Sequence, residues 1–352
     1  MWTAKDFFRS KAFILACLGL VLSMPPLYSE EVLPKTLTLY TTREPKLLQP
    51  TLDLFKEKTG IEVRPLFFKE GLAERVAAEG QQSPADAFLI VDIGVLKSLV
   101  DKGVTKPFHS RVIRETVPEA LRDPKNHWTA VSMRARVLYA KKDLQIPSPF
   151  FYEDLAKPEW KGKICLRSGQ HPYNLSLVAA YLDHYGEEET LAWLKGIKAN
   201  LARKPSGGDR EVARDILGGL CEVGLGNSYY VALMRKADGM SEQKAWGEAI
   251  TAVLPAFREN GGGTHVNISG VALANASKNS DVAQTFLEFL VSEDAQRLYA
   301  HTNNEYPVRV GVDVDPIIAS FGFLKTDRAS LAAIADKRKE ASQLVDRAGF
   351  DD

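Results

Sequence analysis

Residues 36–103 read TLTLYTTREPKLLQPTLDLFKEKTGIEVRPLFFKEGLAERVAAEGQQSPADAFLIVDIGVLKSLVDKG, and the periodicities in this stretch decide the fold. Leu37-Thr38-Leu39-Tyr40 alternates as a strand does, one face apolar and the other polar. Leu48, Leu52 and Phe55 then share one helical face, and Thr59-Gly60 stops that helix. Residues 61–67 are strand-like again. Leu72 and Val76 mark a second amphipathic helix that ends at Gly80. Residues 87–91 are an apolar strand, and 95–100 a further helix closed by Gly103. A β-α-β-α-β order predicts a parallel sheet flanked by helices. Ligands of such sheets sit at the carboxyl ends of strands, in loops that enter helices. Tyr40-Thr41-Thr42-Arg43-Glu44 and Val91-Asp92 are two such loops.

Working outward, the alternation repeats across residues 132–256. Segments 137–139 and 164–166 read as strands, and 175–182 as a helix after the loop Gln170-His171-Pro172-Tyr173. Residues 223–225 are strand-like and lead into Gly226-Asn227-Ser228-Tyr229-Tyr230. Val282, Phe286, Phe289 and Leu290 give a clear amphipathic helix, and 331–345 looks helical too. The pattern divides into two α/β lobes around a hinged cleft. The first takes residues 30–131 and about 257–308, the second 132–256 and about 309–352.

Residues 1–29 read as an export signal. Lys5, Arg9 and Lys11 precede an apolar run over residues 12–22, too short for a bilayer span of about 20 residues. Ile14-Leu15-Ala16-Cys17 loosely follows a lipoprotein box, which makes lipid anchoring the second choice. The whole chain carries 45 basic and 45 acidic residues, which argues against nucleic acid as a partner. Three cysteines are too few for a disulfide-built scaffold, and no CxxC pair suggests zinc. Cys17 leaves with the signal. Cys165 and Cys221, each in a strand pattern of the second lobe, remain in an oxidising compartment and are expected to pair, the alternative being two separate buried thiols.

The chemistry-bearing cluster is tyrosine at strand-to-helix loops: Tyr173, Tyr229 and Tyr230. A phenol is protonated near neutrality and becomes a strong ligand only when a highly charged cation displaces the proton. Hard oxygen donors suit hard cations, Fe(III) above all, and three phenolates would neutralise its charge. By spacing alone, a Tyr-Tyr pair equally fits aromatic packing. An exported two-lobed α/β chain without a membrane span fits a solute-binding protein, its ligand held in the inter-lobe cleft. Fold alone does not name that ligand. An anion, a polyamine or a thiamine-like cation are rivals, and a secreted enzyme is the rival from another class. Neither GxSxG nor HExxH supports the enzyme.

Longer stretches narrow the choice. They are Ser83-Pro84-Ala85-Asp86, Arg134-Ala135-Arg136-Val137, Leu166-Arg167-Ser168 and Tyr173-Asn174-Leu175-Ser176-Leu177-Val178-Ala179. Further along come Asn200-Leu201-Ala202-Arg203-Lys204-Pro205-Ser206-Gly207-Gly208-Asp209, Asn227-Ser228-Tyr229-Tyr230, Thr264-His265-Val266-Asn267-Ile268-Ser269-Gly270 and Asn304-Glu305-Tyr306-Pro307-Val308. In these, residues 36–310 resemble the ferric-ion-binding proteins of bacterial ABC iron importers. The resemblance implies the type II periplasmic-binding-protein fold and a monomer in the periplasm that serves a permease in the inner membrane. It also implies iron ligation by Tyr173, Tyr229 and Tyr230, with a synergistic carbonate held by an arginine. Arg134 is the first candidate for that arginine and Arg136 the reserve.

One departure stands out. Many members carry His-Tyr after the first strand, where this chain has Glu44-Pro45. Pro45 cannot ligate. Glu44 either donates a carboxylate oxygen or stays a solvated acid. Elsewhere, His171 reads as solvent-facing, His265 as structurally satisfied, and Asp92 as a helix cap. Gly207-Gly208-Asp209 lacks the Lys-Ser/Thr of a phosphate loop.

Overall fold

The computed structural model describes residues 36–239, 241–259 and 262–352. The expected export signal lies outside them. Ten strands form one mixed sheet: β1 (Thr36–Thr41), β2 (Glu62–Phe67), β3 (Ala87–Ile90), β4 (Thr105–Lys106), β5 (Trp128–Lys141), β6 (Ile164–Cys165), β7 (Val223–Asn227), β8 (Ile250–Val253), β9 (Val266–Ala274) and β10 (Tyr306–Pro307). The central order is β2-β1-β3-β9-β5-β7-β6.

The expected β-α-β-α-β unit is present. β1 pairs in parallel with β2 and β3, and α1 (Pro45–Thr59), α2 (Leu72–Glu79) and α3 (Ile93–Asp101) connect and follow the strands. Leu48, Leu52 and Phe55 of α1 are buried as their spacing required, and Gly60 closes the helix in the left-handed region at φ 70°. Burying one such side chain contributes about 1.5–3 kcal/mol. The sheet does not stay parallel. β9, which returns to the first half from far along the sequence, enters antiparallel between β3 and β5.

β5 joins the two halves. Its first part, Trp128 to Ala135, pairs with β9, and from Arg136 onward it pairs with β7 and β8. Leu37, Leu39, Phe55, Phe88, Ile268 and Phe286 lie in one apolar core. Leu138, Tyr152, Ile164, Val178 and Leu344 lie in a second, flanked by a cluster around Val137, Tyr139 and Val231.

Three local expectations change. α4 (Arg111–Thr116) is followed by α5 (Pro172–Asn200), which begins inside the expected loop, so Tyr173 sits on a helix's first turn. Pro172 suits that first turn, and His171 caps it. The expected helix at 331–345 is two, Leu331–Asp336 and Arg338–Arg347, split at Lys337. Cys221 precedes β7 rather than lying in a strand, yet it bonds Cys165 of β6 across a Cα separation of 5.8 Å. Among the described residues no helix is long and apolar enough to cross a membrane.

Candidate functional site

Three helix starts converge on one cavity: α5, α6 (Asp209–Leu217) and α7 (Ser228–Arg235). One buried guanidinium fixes them. Arg136 Nη1 donates to Asp209 Oδ2 at 2.6 Å and to Asn227 Oδ1 at 3.1 Å, while Nη2 donates to Asn174 Oδ1 at 2.7 Å. Those partners sit at the starts of α6, α7 and α5 respectively. Burial pushes the Asp209 carboxyl up, but Arg136 and Arg167 beside it hold it below the usual range. Asp209 also accepts the Asn227 backbone N–H, and Ser228 Oγ accepts that of Ala135. Gly226 of β7 has no side chain because the Tyr139 ring lies where a Cβ would go. Tyr139 then donates its hydroxyl to Asn227 O at 2.6 Å, so the junction that carries Tyr229 and Tyr230 is held from both sides.

The phenols meet in the cavity. Tyr173 and Tyr229 hydroxyls are 3.4 Å apart, and the Tyr229 and Tyr230 rings lie 4.2 Å apart between centroids. Burial, with Tyr173 beside it, raises the Tyr229 pKa well above the ordinary phenol value, and burial raises Tyr230 too. Both are therefore neutral phenols in the metal-free protein. The cavity holds about 70 Å³ and is walled by Arg43, Glu44, Val91, Arg134 and Arg210 besides the three tyrosines.

Arg134 is buried at 2% exposure, with Nη2 bonded to Val91 O. Its Nε and Nη1 are buried without a hydrogen-bond partner among the described residues. Its Cζ lies 5.3 Å from the Tyr173 ring centroid. Arg136 is not part of this wall. Its terminal nitrogens are consumed by Asp209, Asn227, Asn174 and Leu225 O, so it positions the tyrosines and does not reach the cavity. Glu44 stands exposed at the rim, before α1, and does not cap that helix.

Three further residues escaped the sequence reading. Arg43 and Glu305 form a buried pair, Nη1–Oε1 2.8 Å and Nη2–Oε2 2.9 Å, with Ser132 also donating to Glu305. Arg43 lay in a loop already marked as ligand-bearing, and Glu305 in a quoted stretch; their separation by 262 residues hid the pairing. Arg210, next to the rejected glycine loop, lies 4.8 Å over the Tyr230 ring. The histidines divide. His171 is half-buried: its Nδ1 accepts the Tyr173 N–H, and burial with Arg167 nearby lowers its pKa to about 3. His265 Nε2 contacts Ser176, but its Nδ1 is buried without a partner among the described residues. Asp92 caps α3, accepting from Gly94 and Val95. Among the described residues no cluster of His, Cys, Asp and Glu could hold a metal. The hard donors that converge are phenols.

Two lobes joined by crossing strands, with a polar site in the cleft, define a type II periplasmic-binding-protein fold. The chain belongs to the bacterial extracellular solute-binding proteins, whose family profile matches residues 82–327. The iron uptake protein A2 of Synechocystis is 37% identical over 317 residues, 90% of either chain. A Bordetella ferric binding protein superposes with TM-score 0.85 at 55% identity, covering 90% of this chain and all of its own. A Trichodesmium protein solved with iron and citrate does so at 0.84 and 36%, covering 90% and 99%.

Proposed function

We propose that this chain captures ferric iron in the cleft through the phenolates of Tyr173, Tyr229 and Tyr230 and delivers it to an ABC permease of the inner membrane. The carrying observation is the convergence of three phenols in a small cavity whose remaining walls supply arginines. Soft metals would call for cysteine or histidine, and calcium for several carboxylates. Three phenolates neutralise Fe(III), and the charges of Arg134 and Arg210 then favour an added anion such as carbonate. Arg134 holds it, because its Nε and Nη1 have no other partner among the described residues. We place the protein in the periplasm as a monomer. We assign the lobes as residues 30–131 with about 257–308 and residues 132–256 with about 309–352; Phe257 packs in the second core, and the helix Leu331–Asp336 contributes to both, Leu331 and Ala335 to the first and Ile334 to the second.

Ferric citrate added to metal-free protein tests the reading. Phenolate-to-iron charge transfer should produce an orange-red visible band. Tyr229→Phe and Tyr230→Phe should each abolish or greatly weaken it with circular dichroism unchanged, since only an oxygen is removed. Wild-type colour and affinity in both variants would overturn the phenolate site.

A further inference from the structure

A second cavity lies on the other face of the crossing strands, about 620 Å³ against about 70 Å³ at the phenols. Sites for small organic ligands fall in the range of roughly 300–1,000 Å³. Neighbours along a strand point to opposite faces. Arg134 of β5 walls the phenol cavity while Met133 walls this one. In β9, Asn267 reaches Asp92 and Ser176, and Val266 lines the second cavity. Leu121, Trp128, Leu331 and Ile334 complete an apolar wall to which both cores contribute.

The polar groups in that wall point to one kind of guest. His265 is 2% exposed and its Nε2 lies 3.1 Å from Ser176 Oγ. Asn267 Nδ2 donates to the same oxygen at 3.1 Å. The His265 Nδ1 is buried without a partner among the described residues. Burial keeps the ring neutral, lowering its pKa to about 4. Arg122 and Arg328 also line the cavity, and neither forms an ion pair among the described residues; Arg122 spends only Nε, on Val117 O. Of the two acids in the lining, Asp327 is engaged by His184 and the Ala329 N–H, and Glu119 is exposed. Two arginines without an ion-pair partner among the described residues, beside an apolar wall, suit an anion with an apolar body.

We propose that this cavity is a second binding site, for a small organic monoanion: an aromatic or branched aliphatic body seated between Trp128, Met133 and Ile334, with a carboxylate or sulfonate taken by Arg122 and Arg328. The site does not depend on the iron assignment, and its test uses metal-free mature protein. Anilinonaphthalene sulfonate, an aromatic monoanion that fluoresces in apolar surroundings, should bind saturably at one site and be displaced by naphthoate. Arg328→Glu, at an exposed position, should weaken binding by about tenfold through charge reversal. Ala332→Trp, which fills the cavity from its wall, should abolish it. Both variants should keep wild-type circular dichroism. Lack of saturable binding, unchanged binding in both variants, or displacement by uncharged methylnaphthalene as effective as by naphthoate would each overturn the proposal.

Discussion

A phenol oxygen competes for a metal only by giving up its proton, and the surroundings of Tyr229 make that harder in the metal-free protein. Burial and the neighbouring Tyr173 raise its pKa, so binding must expel a proton for each phenolate formed. The sign follows: each proton added to the medium favours release. Iron affinity should fall steadily as pH drops, and proton release on binding should be measurable in weakly buffered solution. Glu44, exposed at the rim, has no such claim on the ion. Glu44→Ala should cost less affinity than Tyr173→Phe, and equal loss would make Glu44 a true ligand. Arg134→Ala should remove the bicarbonate dependence of iron binding, whereas the wild type keeps it; a dependence unchanged in the variant would take Arg134 out of the site. The tyrosines were legible because they end strand patterns and lie in stretches with a strong resemblance. The role of Arg136 was not. A buried guanidinium is defined by its partners, and Asp209, Asn227 and Asn174 come from three separated segments.

At the scale of elements, the helices Leu331–Asp336 and Arg338–Arg347 matter through the turn between them. Just past the break at Lys337, Arg338 pairs with Asp92, the cap of α3. Gly94 permits this approach, since any Cβ there would collide with the guanidinium. Lys97 of α3 meets Asp336 at 2.9 Å, and Lys337 meets Asp183 of α5 at 2.7 Å. This turn therefore clips α3 to α5. Arg338→Ala should lower iron affinity by roughly five- to tenfold while leaving the visible band unchanged in shape, as a coupling free energy at a distance from the ligands would. An affinity equal to wild type would show that the clip does not favour the liganded state. The sequence read the helical periodicity here and missed the break, because an apolar stripe continues across Lys337 with little change of phase. It likewise saw three residues of β5 where the strand has 14. Continuous burial on both faces removes the alternation that betrays an exposed strand.

Across the whole molecule, the disulfide between Cys165 and Cys221 should act on stability and not on iron binding, because neither sulfur lines the phenol cavity. It closes a separation of 56 residues, worth roughly 4 kcal/mol in the chain-entropy description. Replacing both cysteines by serine should lower the melting temperature markedly and leave the iron spectrum as it was. Loss of colour with unchanged melting would assign the sulfurs to the site instead. All three phenols belong to α5 and α7, while Arg43, Glu44, Val91 and Glu305 approach from the other half. On the proposed ligation, an incoming ion would meet all three phenols on one half before the other had closed over it. Arrival would then be set by the exposed half and residence time by the covering one, a division that lets loading be fast and holding long. A permease that pulls the covering half aside would shorten the stay without touching a single ligand.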